Sequence, residues 1–407
     1  MGMTTMKNSQ KYSPFVTICL FLLVALSVQG CFGIGDNSGP SGKTITTNSG
    51  GKQVTVAQNL FKGKIYLTID HNLWVITGNG NNTELLHSGD IYDPAVSPDG
   101  KWIAYVEKFK NYSNLDVIPA NGGHVKTLMN GNGHFYIDTG IAKNTFFWFM
   151  QPEWSHDGSH ILFLSDLQKN FVWANLNSLF YGNYFLDLQV FSIPFSNPAA
   201  TPQALAYASF GDGGDADASY QPAHSGAQQI TYTHYAYDAQ TGTQQVIQIF
   251  MADATAIANH PGLYTPVQDS GVALTPPQAQ NIEPAFSPDG NAIAYIRRES
   301  TTQMGLWIMA APPSSVTVTP NDPTTEKQAM AGYFASTRIL GSLYLSQPVW
   351  SPDGKQLAFF QYTNSEFDLW VVNVNHDPKT GKYTMQGSPQ QLTTGGVDGN
   401  SRAFWTI

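Results

Sequence analysis

A proline-led cassette recurs five times in this chain and constrains its fold more than any other feature. The copies are Pro94-Ala-Val-Ser-Pro-Asp-Gly-Lys-Trp-Ile-Ala-Tyr105, Pro152-Glu-Trp-Ser-His-Asp-Gly-Ser-His-Ile-Leu-Phe163, Pro222-Ala-His-Ser-Gly226 with Ile230-Thr-Tyr232, Pro284-Ala-Phe-Ser-Pro-Asp-Gly-Asn-Ala-Ile-Ala-Tyr295, and Pro348-Val-Trp-Ser-Pro-Asp-Gly-Lys-Gln-Leu-Ala-Phe359. Their prolines stand 58, 70, 62 and 64 residues apart. Self-similarity at such a period means several copies of one supersecondary unit.

Within each copy apolar and polar residues alternate with a period of two, and β-branched and aromatic side chains dominate, so the flanks are strands. The linking Ser-Pro-Asp-Gly is a tight turn. Proline presets φ, Asp bonds to nearby backbone, and Gly takes the position that needs positive φ. A third strand follows each hairpin, as in Leu115–Pro119, Leu188–Ile193, Ile247–Met251, Leu306–Met309 and Leu369–Val374, and a weaker fourth comes after it. Four antiparallel strands repeated radially make a propeller blade. Near the N-terminus Lys64–Thr68, Leu73–Thr77 and Thr83–Leu86 supply three strands of a further blade, and Ser401–Ile407 supplies its missing first strand. The expectation is an all-β, six-bladed propeller of four-stranded antiparallel blades over residues 61–407, closed by pairing the C-terminal strand with the N-terminal blade.

The cassette Pro-x-Trp/Phe-Ser-Pro-Asp-Gly-x-x-Ile/Leu-Ala-Phe/Tyr, followed by Leu369-Trp-Val-Val372, resembles the propeller repeat of TolB and its relatives. The same repeat occurs in the propeller domains of some serine peptidases. The resemblance spans about residues 62–407 and implies a fold, whereas function resides in sites grafted on that fold. No Gly-x-Ser-x-Gly elbow is present and no residues remain for a second hydrolase domain, so the expectation is a non-enzymatic protein.

Residues 1–30 read as a lipoprotein signal peptide. Lys7 and Lys11 precede an apolar run from Phe15 to Val28, too short for a spanning helix of roughly 20 residues. The run ends in Val28-Gln-Gly-Cys31, which resembles a lipobox with Cys31 as the lipidated residue; ordinary secretion is the alternative. Cys19 would leave with the signal, so the mature chain has no internal disulfide. Residues 31–60, rich in Gly, Ser and Thr, read as a flexible tether. The expected location is the extracytoplasmic side of a membrane, held by the lipid alone. Without residues 1–30 the chain carries 18 basic and 29 acidic residues. That balance, with no basic cluster, excludes nucleic acid as a partner class.

Strand parity places the Ser-Pro-Asp-Gly turns on one face of the disc and several of the longest connections on the other. Residues 129–150, 166–187 and 331–347 are rich in aromatics, and Trp148, Trp173, Tyr181, Tyr184, Tyr333 and Tyr344 are candidates for binding a protein or peptide of the cell envelope by a monomeric propeller. Packing among themselves is the alternative. A glycan or small ligand, or hydrolysis, at the channel mouth is a second function. Asp212, Asp215 and Asp217 in a Gly-rich stretch offer hard oxygen ligands for Ca²⁺, although the twelve-residue calcium-loop spacing is absent; a solvated loop is the other reading. No cofactor is otherwise implied, and the recurring Asp99, Asp157, Asp289 and Asp353 read as turn chemistry.

Overall fold

The computed structural model describes residues 42–47, 51–87, 89–138, 141–167, 187–206, 213–222, 228–237, 242, 244–254, 271–313 and 323–407. In chain order the strands are β1 (Gly42–Thr46), β2 (Gln53–Ala57), β3 (Lys64–Ile69), β4 (Asn72–Thr77), β5 (Thr83–Leu86), β6 (Asp90–Val96), β7 (Trp102–Lys108), β8 (Ser113–Pro119) and β9 (Lys126–Asn130). A small hairpin, β10 (Phe135–Asp138) and β11 (Ile141–Asn144), precedes β12 (Phe149–Trp154), β13 (His160–Ser165), β14 (Gln189–Pro194) and β15 (Gln203–Ala204). Then come β16 (Asp215–Tyr220), β17 (Gln229–Tyr237), β18 (Gln245–Asp253) and β19 (Val272–Ala273), followed by β20 (Asn281–Phe286), β21 (Ala292–Arg298), β22 (Met304–Ala310) and β23 (Thr337–Ser342). Short helices α1 (Pro323–Ala329) and α2 (Ala331–Phe334) interrupt the path from β22 to β23. The last strands are β24 (Leu345–Trp350), β25 (Gln356–Thr363), β26 (Glu366–Asp377), β27 (Lys382–Gln391), β28 (Thr393–Thr394) and β29 (Phe404–Thr406).

Five four-stranded antiparallel sheets follow chain order, beginning at β6, β12, β16, β20 and β24. A sixth, ordered β29-β3-β4-β5, joins both ends of the fold: Phe404 pairs with Tyr66 and Trp405 with Ile65. The structure overturns the expected count of six blades, because there are seven. The seventh is the three-stranded sheet β1-β2-β28. Its Ile45, Val54 and Val56 share one buried cluster with Leu67 and Ile76 of the closing blade and Phe360 and Val371 of the β24 blade. Residues 42–46 and 53–57 had read as tether because few bulky residues mark them, yet Val54 and Val56 are fully buried. Cys31 and the rest of residues 1–41 lie outside the described residues.

The first strands of six blades stand side by side around the axis: β6 on β12, β12 on β16, β16 on β20, β20 on β24, β24 on β29, and β29 back on β6. Between blades lie apolar clusters, and an indole links several of them. Across neighbouring blades Trp154 Nε1 donates to the Ala95 carbonyl (3.0 Å) and Trp350 Nε1 to that of Ala285 (3.0 Å), while Trp405 Nε1 donates to that of Lys62 (2.7 Å), just before β3 of its own blade. Each tryptophan thereby buries a large apolar surface without stranding its polar N–H.

The turns behave as their chemistry demands. The Ser97 hydroxyl donates to Asp99 (2.7 Å) and accepts from Trp102 N (3.0 Å), Asp99 also accepts Lys101 N (3.1 Å), and Gly100 has φ +70°. The same set recurs at Ser155/Asp157, Ser287/Asp289 and Ser351/Asp353. The serine hydroxyl, then the lysine or serine that follows the glycine, lower the carboxyls of Asp99 and Asp157 to about 2.

One repeat was misregistered in the sequence. Gln221 N bonds to the Gln229 carbonyl as Ser155 N does to that of His160, so Pro222 is a turn proline rather than the residue opening a strand. The inner strand of that blade is β16, with Ala218 at the opening-proline position. No helix among the described residues is long and apolar enough to cross a membrane.

Candidate functional site

Every inner strand that follows chain order is bulged near its middle. The ladder register skips between Tyr92 and Ala95, Met150 and Glu153, Ala216 and Ser219, Ile282 and Ala285, and Ser346 and Val349. In each skip one non-glycine residue adopts positive φ: Asp93 (+55°), Gln151 (+50°), Asp217 (+53°), Glu283 (+57°) and Gln347 (+52°). Such backbone costs on the order of 1–3 kcal/mol and persists only where its surroundings hold it. A bulge breaks the ladder and re-aims its residue, and in four of the five the next residue is a proline, which has no N–H to donate.

The freed groups bond across blades instead, forming a belt around the axis. Asp93 Oδ2 accepts Gln151 N of the next blade (3.1 Å), and its Oδ1 accepts Arg402 N of the closing blade (2.9 Å). Asp93 N donates to the Ser401 hydroxyl (2.8 Å). Gln151 exchanges two bonds with Asp217, accepting its N–H at 2.7 Å and donating to its Oδ1 at 2.9 Å. The Thr233 hydroxyl accepts Glu283 N (3.0 Å) and donates to Asp217 Oδ2 (3.2 Å), while Glu283 Oε2 accepts Gln347 N (2.6 Å).

Arg402 extends this belt across the axis. It occupies in the closing blade the place that precedes the opening proline elsewhere. Its guanidinium donates to Glu153 Oε2, two blades on (2.9 Å), and to the Ala218 carbonyl, three blades on (3.3 Å). Glu153 Oε1 in turn accepts the Ser219 hydroxyl and Tyr220 N, both at 2.9 Å. Burial holds the Asp93 and Glu153 carboxyls above the ordinary carboxylate range, against the opposing pull of Arg402. Burial and then the neighbouring Asp217 charge push Glu283 up to about 8.

The stretch that offered possible Ca²⁺ ligands, or else a solvated loop, is in part a strand of this architecture. Asp212 lies outside the described residues. Asp215 and Asp217 belong to β16, where Asp215 meets His234 Nδ1 (2.8 Å) and Asp217 serves the belt. Among the described residues no group of three or more His, Cys, Asp or Glu side chains is placed to hold a metal.

The aromatic candidates are dispersed. Trp173, Tyr181 and Tyr184 lie outside the described residues. Trp148 is half-buried, its backbone N–H donating to Asp166 Oδ1 (2.9 Å). Tyr333 sits in α2 over the Arg297 guanidinium, 4.3 Å from ring centroid, and strand β23 separates it from Tyr344. Tyr344 is 55% exposed and edges onto Tyr362 at 5.8 Å, which edges onto Phe367. Sequence reading missed Tyr362, Tyr237 and the stack of Phe109 on Tyr112 (4.6 Å), because they sit at strand ends instead of in long loops. Of nine exposed large apolar residues among those described, Phe109, Tyr237, Leu343, Tyr344 and Tyr362 all lie on the face opposite the Ser-Pro-Asp-Gly turns.

The fold has counterparts among known proteins. Residues 228–395 match the family model of the dipeptidyl peptidase IV (DPP IV) N-terminal region, fewer than half of the chain. TolB from Acinetobacter baumannii superposes with a TM-score of 0.52 at 16% identity, over 84% of this chain and 66% of that one. The likeness is one of fold. A putative TolB from Agrobacterium tumefaciens matches at 18% identity and TM-score 0.42, over 84% of this chain and 96% of that one. The S511A mutant of puromycin hydrolase complexed with PGG matches at 14% identity and TM-score 0.41, over 74% and 39%. No curated protein matches in sequence.

Proposed function

We propose that this chain is an exported, lipid-anchored envelope propeller that binds a partner protein or peptide without catalysing a reaction. The observation that supports it most directly is the asymmetry of exposed aromatics. Four of the five exposed aromatics among the described residues, Phe109, Tyr237, Tyr344 and Tyr362, share the loop face, and aromatics are favoured at protein interfaces. The belt below them is committed to structure: Asp93, Glu153 and Asp217 each accept at both carboxylate oxygens, so none is poised as a base. Cys31 supplies the anchor in this reading. Site-specific photo-crosslinking in cells tests it. A cross-linker at Tyr344 or Tyr362 should trap a discrete envelope partner, and one at Pro98 on the turn face should not; equal trapping from both faces rejects the reading. Cys31→Ser should move the protein to the soluble fraction, and retention at the membrane rejects the anchor alone.

A second reading rests on Glu283 beside Asp217. A buried carboxyl that keeps its proton to about 8 beside a second carboxyl group is the arrangement acid–base hydrolysis uses. Glu283→Gln leaving every hydrolytic activity of the purified protein unchanged would eliminate it.

A further inference from the structure

The face carrying the turns holds a cavity that belongs to neither reading above. Strand β25 begins at Gln356, opposite Asn373 of β26, but β26 and β27 continue pairing beyond that point through Val374↔Met385, Asn375↔Thr384 and His376↔Tyr383 to Asp377↔Lys382. The hairpin therefore runs on past the start of β25, with Val374 and Tyr383 packed into the core and Asn375, His376 and Gln386 exposed. Its tip is tied down, with Asp377 accepting Lys379 N (2.9 Å) and the Thr380 hydroxyl (2.8 Å). Between this fin and the turn of the preceding blade lies a pocket of about 850 Å³.

Its walls are chemically mixed. Asp289 and Asp353 come from two successive turns, Lys355 from one of them, and Asn373, Gln386 and His376 from the fin. Hydrogen bonds from Ser351 and Lys355 N lower the Asp353 carboxyl, and at Asp289 burial is outweighed by bonds from Ser287 and Asn291, so both are ionised acceptors at neutral pH. His376 stacks on Tyr383 with ring centroids 4.6 Å apart and planes at 20°, and Tyr383 edges onto the buried Trp350 at 5.6 Å. The exposed imidazole is thus the outermost ring of a stack rooted in the core, a flat platform fixed in orientation.

This combination selects against other ligand classes. One lysine against two carboxylates disfavours phosphates and other anions. An apolar ligand would cover the remaining acceptor positions of the carboxylates and the Gln386 amide without bonding to them, which is costly. A neutral, hydroxyl-rich ring satisfies all of them: its hydroxyls donate to carboxylates, exchange bonds with amides and accept from lysine, while its C–H face lies on the imidazole. The volume falls in the range of small-ligand sites, roughly 300–1,000 Å³. We propose that this pocket is a carbohydrate-binding site for neutral hexose or N-acetylhexosamine oligosaccharides.

Calorimetric titration of the purified mature protein with cellotetraose, maltotetraose and chitotetraose tests this, and identifies which of the two sugar classes is taken. At least one should bind with a Kd below about 1 mM, the weak end of specific recognition. His376→Ala and Gln386→Ala, exposed positions whose loss leaves the blade intact, should each weaken binding at least tenfold, while Tyr344→Ala on the opposite face should leave it unchanged. The proposal is overturned by no binding from any of the three sugars at 10-fold that concentration, or by binding that both fin variants leave intact.

Discussion

The axial belt and the β26–β27 fin use the same residue types to opposite ends. Both are rich in carboxylates and amides. At the axis Asp93, Gln151, Asp217 and Glu283 turn inward and spend their bonding capacity on the backbone and side chains of neighbouring blades. On the fin Asn375, His376 and Gln386 are exposed, and its root is bonded back to the blade, Gln356 Nε2 donating to Asn373 Oδ1 (2.8 Å) and Val374 N to the Lys355 carbonyl (2.8 Å). The contrast teaches that residue type does not distinguish a scaffold from a site. What distinguishes them is whether a polar group's partners come from the chain itself or are left to water and ligand.

That contrast can be broken at either end. Trp350→Ala removes an interblade indole that is 6% exposed and the base of the ring stack, and should cost about 3–5 kcal/mol in denaturant-monitored stability. Arg402→Ala leaves Glu153 without its cation in a site that is only partly solvated. It should cost about 2–3 kcal/mol, below the full value for a buried pair because both side chains retain some water. A loss under 0.5 kcal/mol there would show that the belt does not hold the ring.

Glu283 sharpens the comparison through pH. The folded protein keeps its proton up to about 8, whereas the unfolded chain releases it near 4.5. The folded state therefore binds more protons in that window, and stability must fall as pH rises from about 5 to about 8. Glu283→Gln should flatten that slope in Tm measured against pH, and an unchanged slope would place the titration elsewhere. At the fin, His376→Ala and Gln386→Ala should each change stability by less than about 0.5 kcal/mol, as exposed substitutions do.

Much of the fold was legible because turn chemistry is local. Ser, Asp and Gly must occupy fixed positions to make the bonds seen at Ser97–Trp102, so the repeat survives in the letters. The belt was not legible as a belt, since its members differ: two Asp (Asp93, Asp217), two Gln (Gln151, Gln347), Glu283 and Arg402 share a place but no single side chain. A faint signal existed, in that a polar residue precedes each opening proline at Pro94, Pro152, Pro284 and Pro348. The third repeat hides it, because Ala218 stands where the other repeats have proline and Pro222, in the turn, mimics the opening proline. The seventh blade escaped for a different reason. Its strands present only Ile45, Val54, Val56 and the small Ala57 to the core, too few bulky apolar residues to stand out from a Thr- and Gly-rich stretch.

The bonds that tie Asp93 to Ser401 and Arg402 join residues 308 and 309 positions apart. Closing so long a loop costs chain entropy before any contact repays it. During synthesis the early blades therefore wait with one flank uncovered until residues beyond 400 have left the ribosome. A chain that crosses a membrane before folding avoids that interval altogether, and one that folds as it is made must spend it exposed.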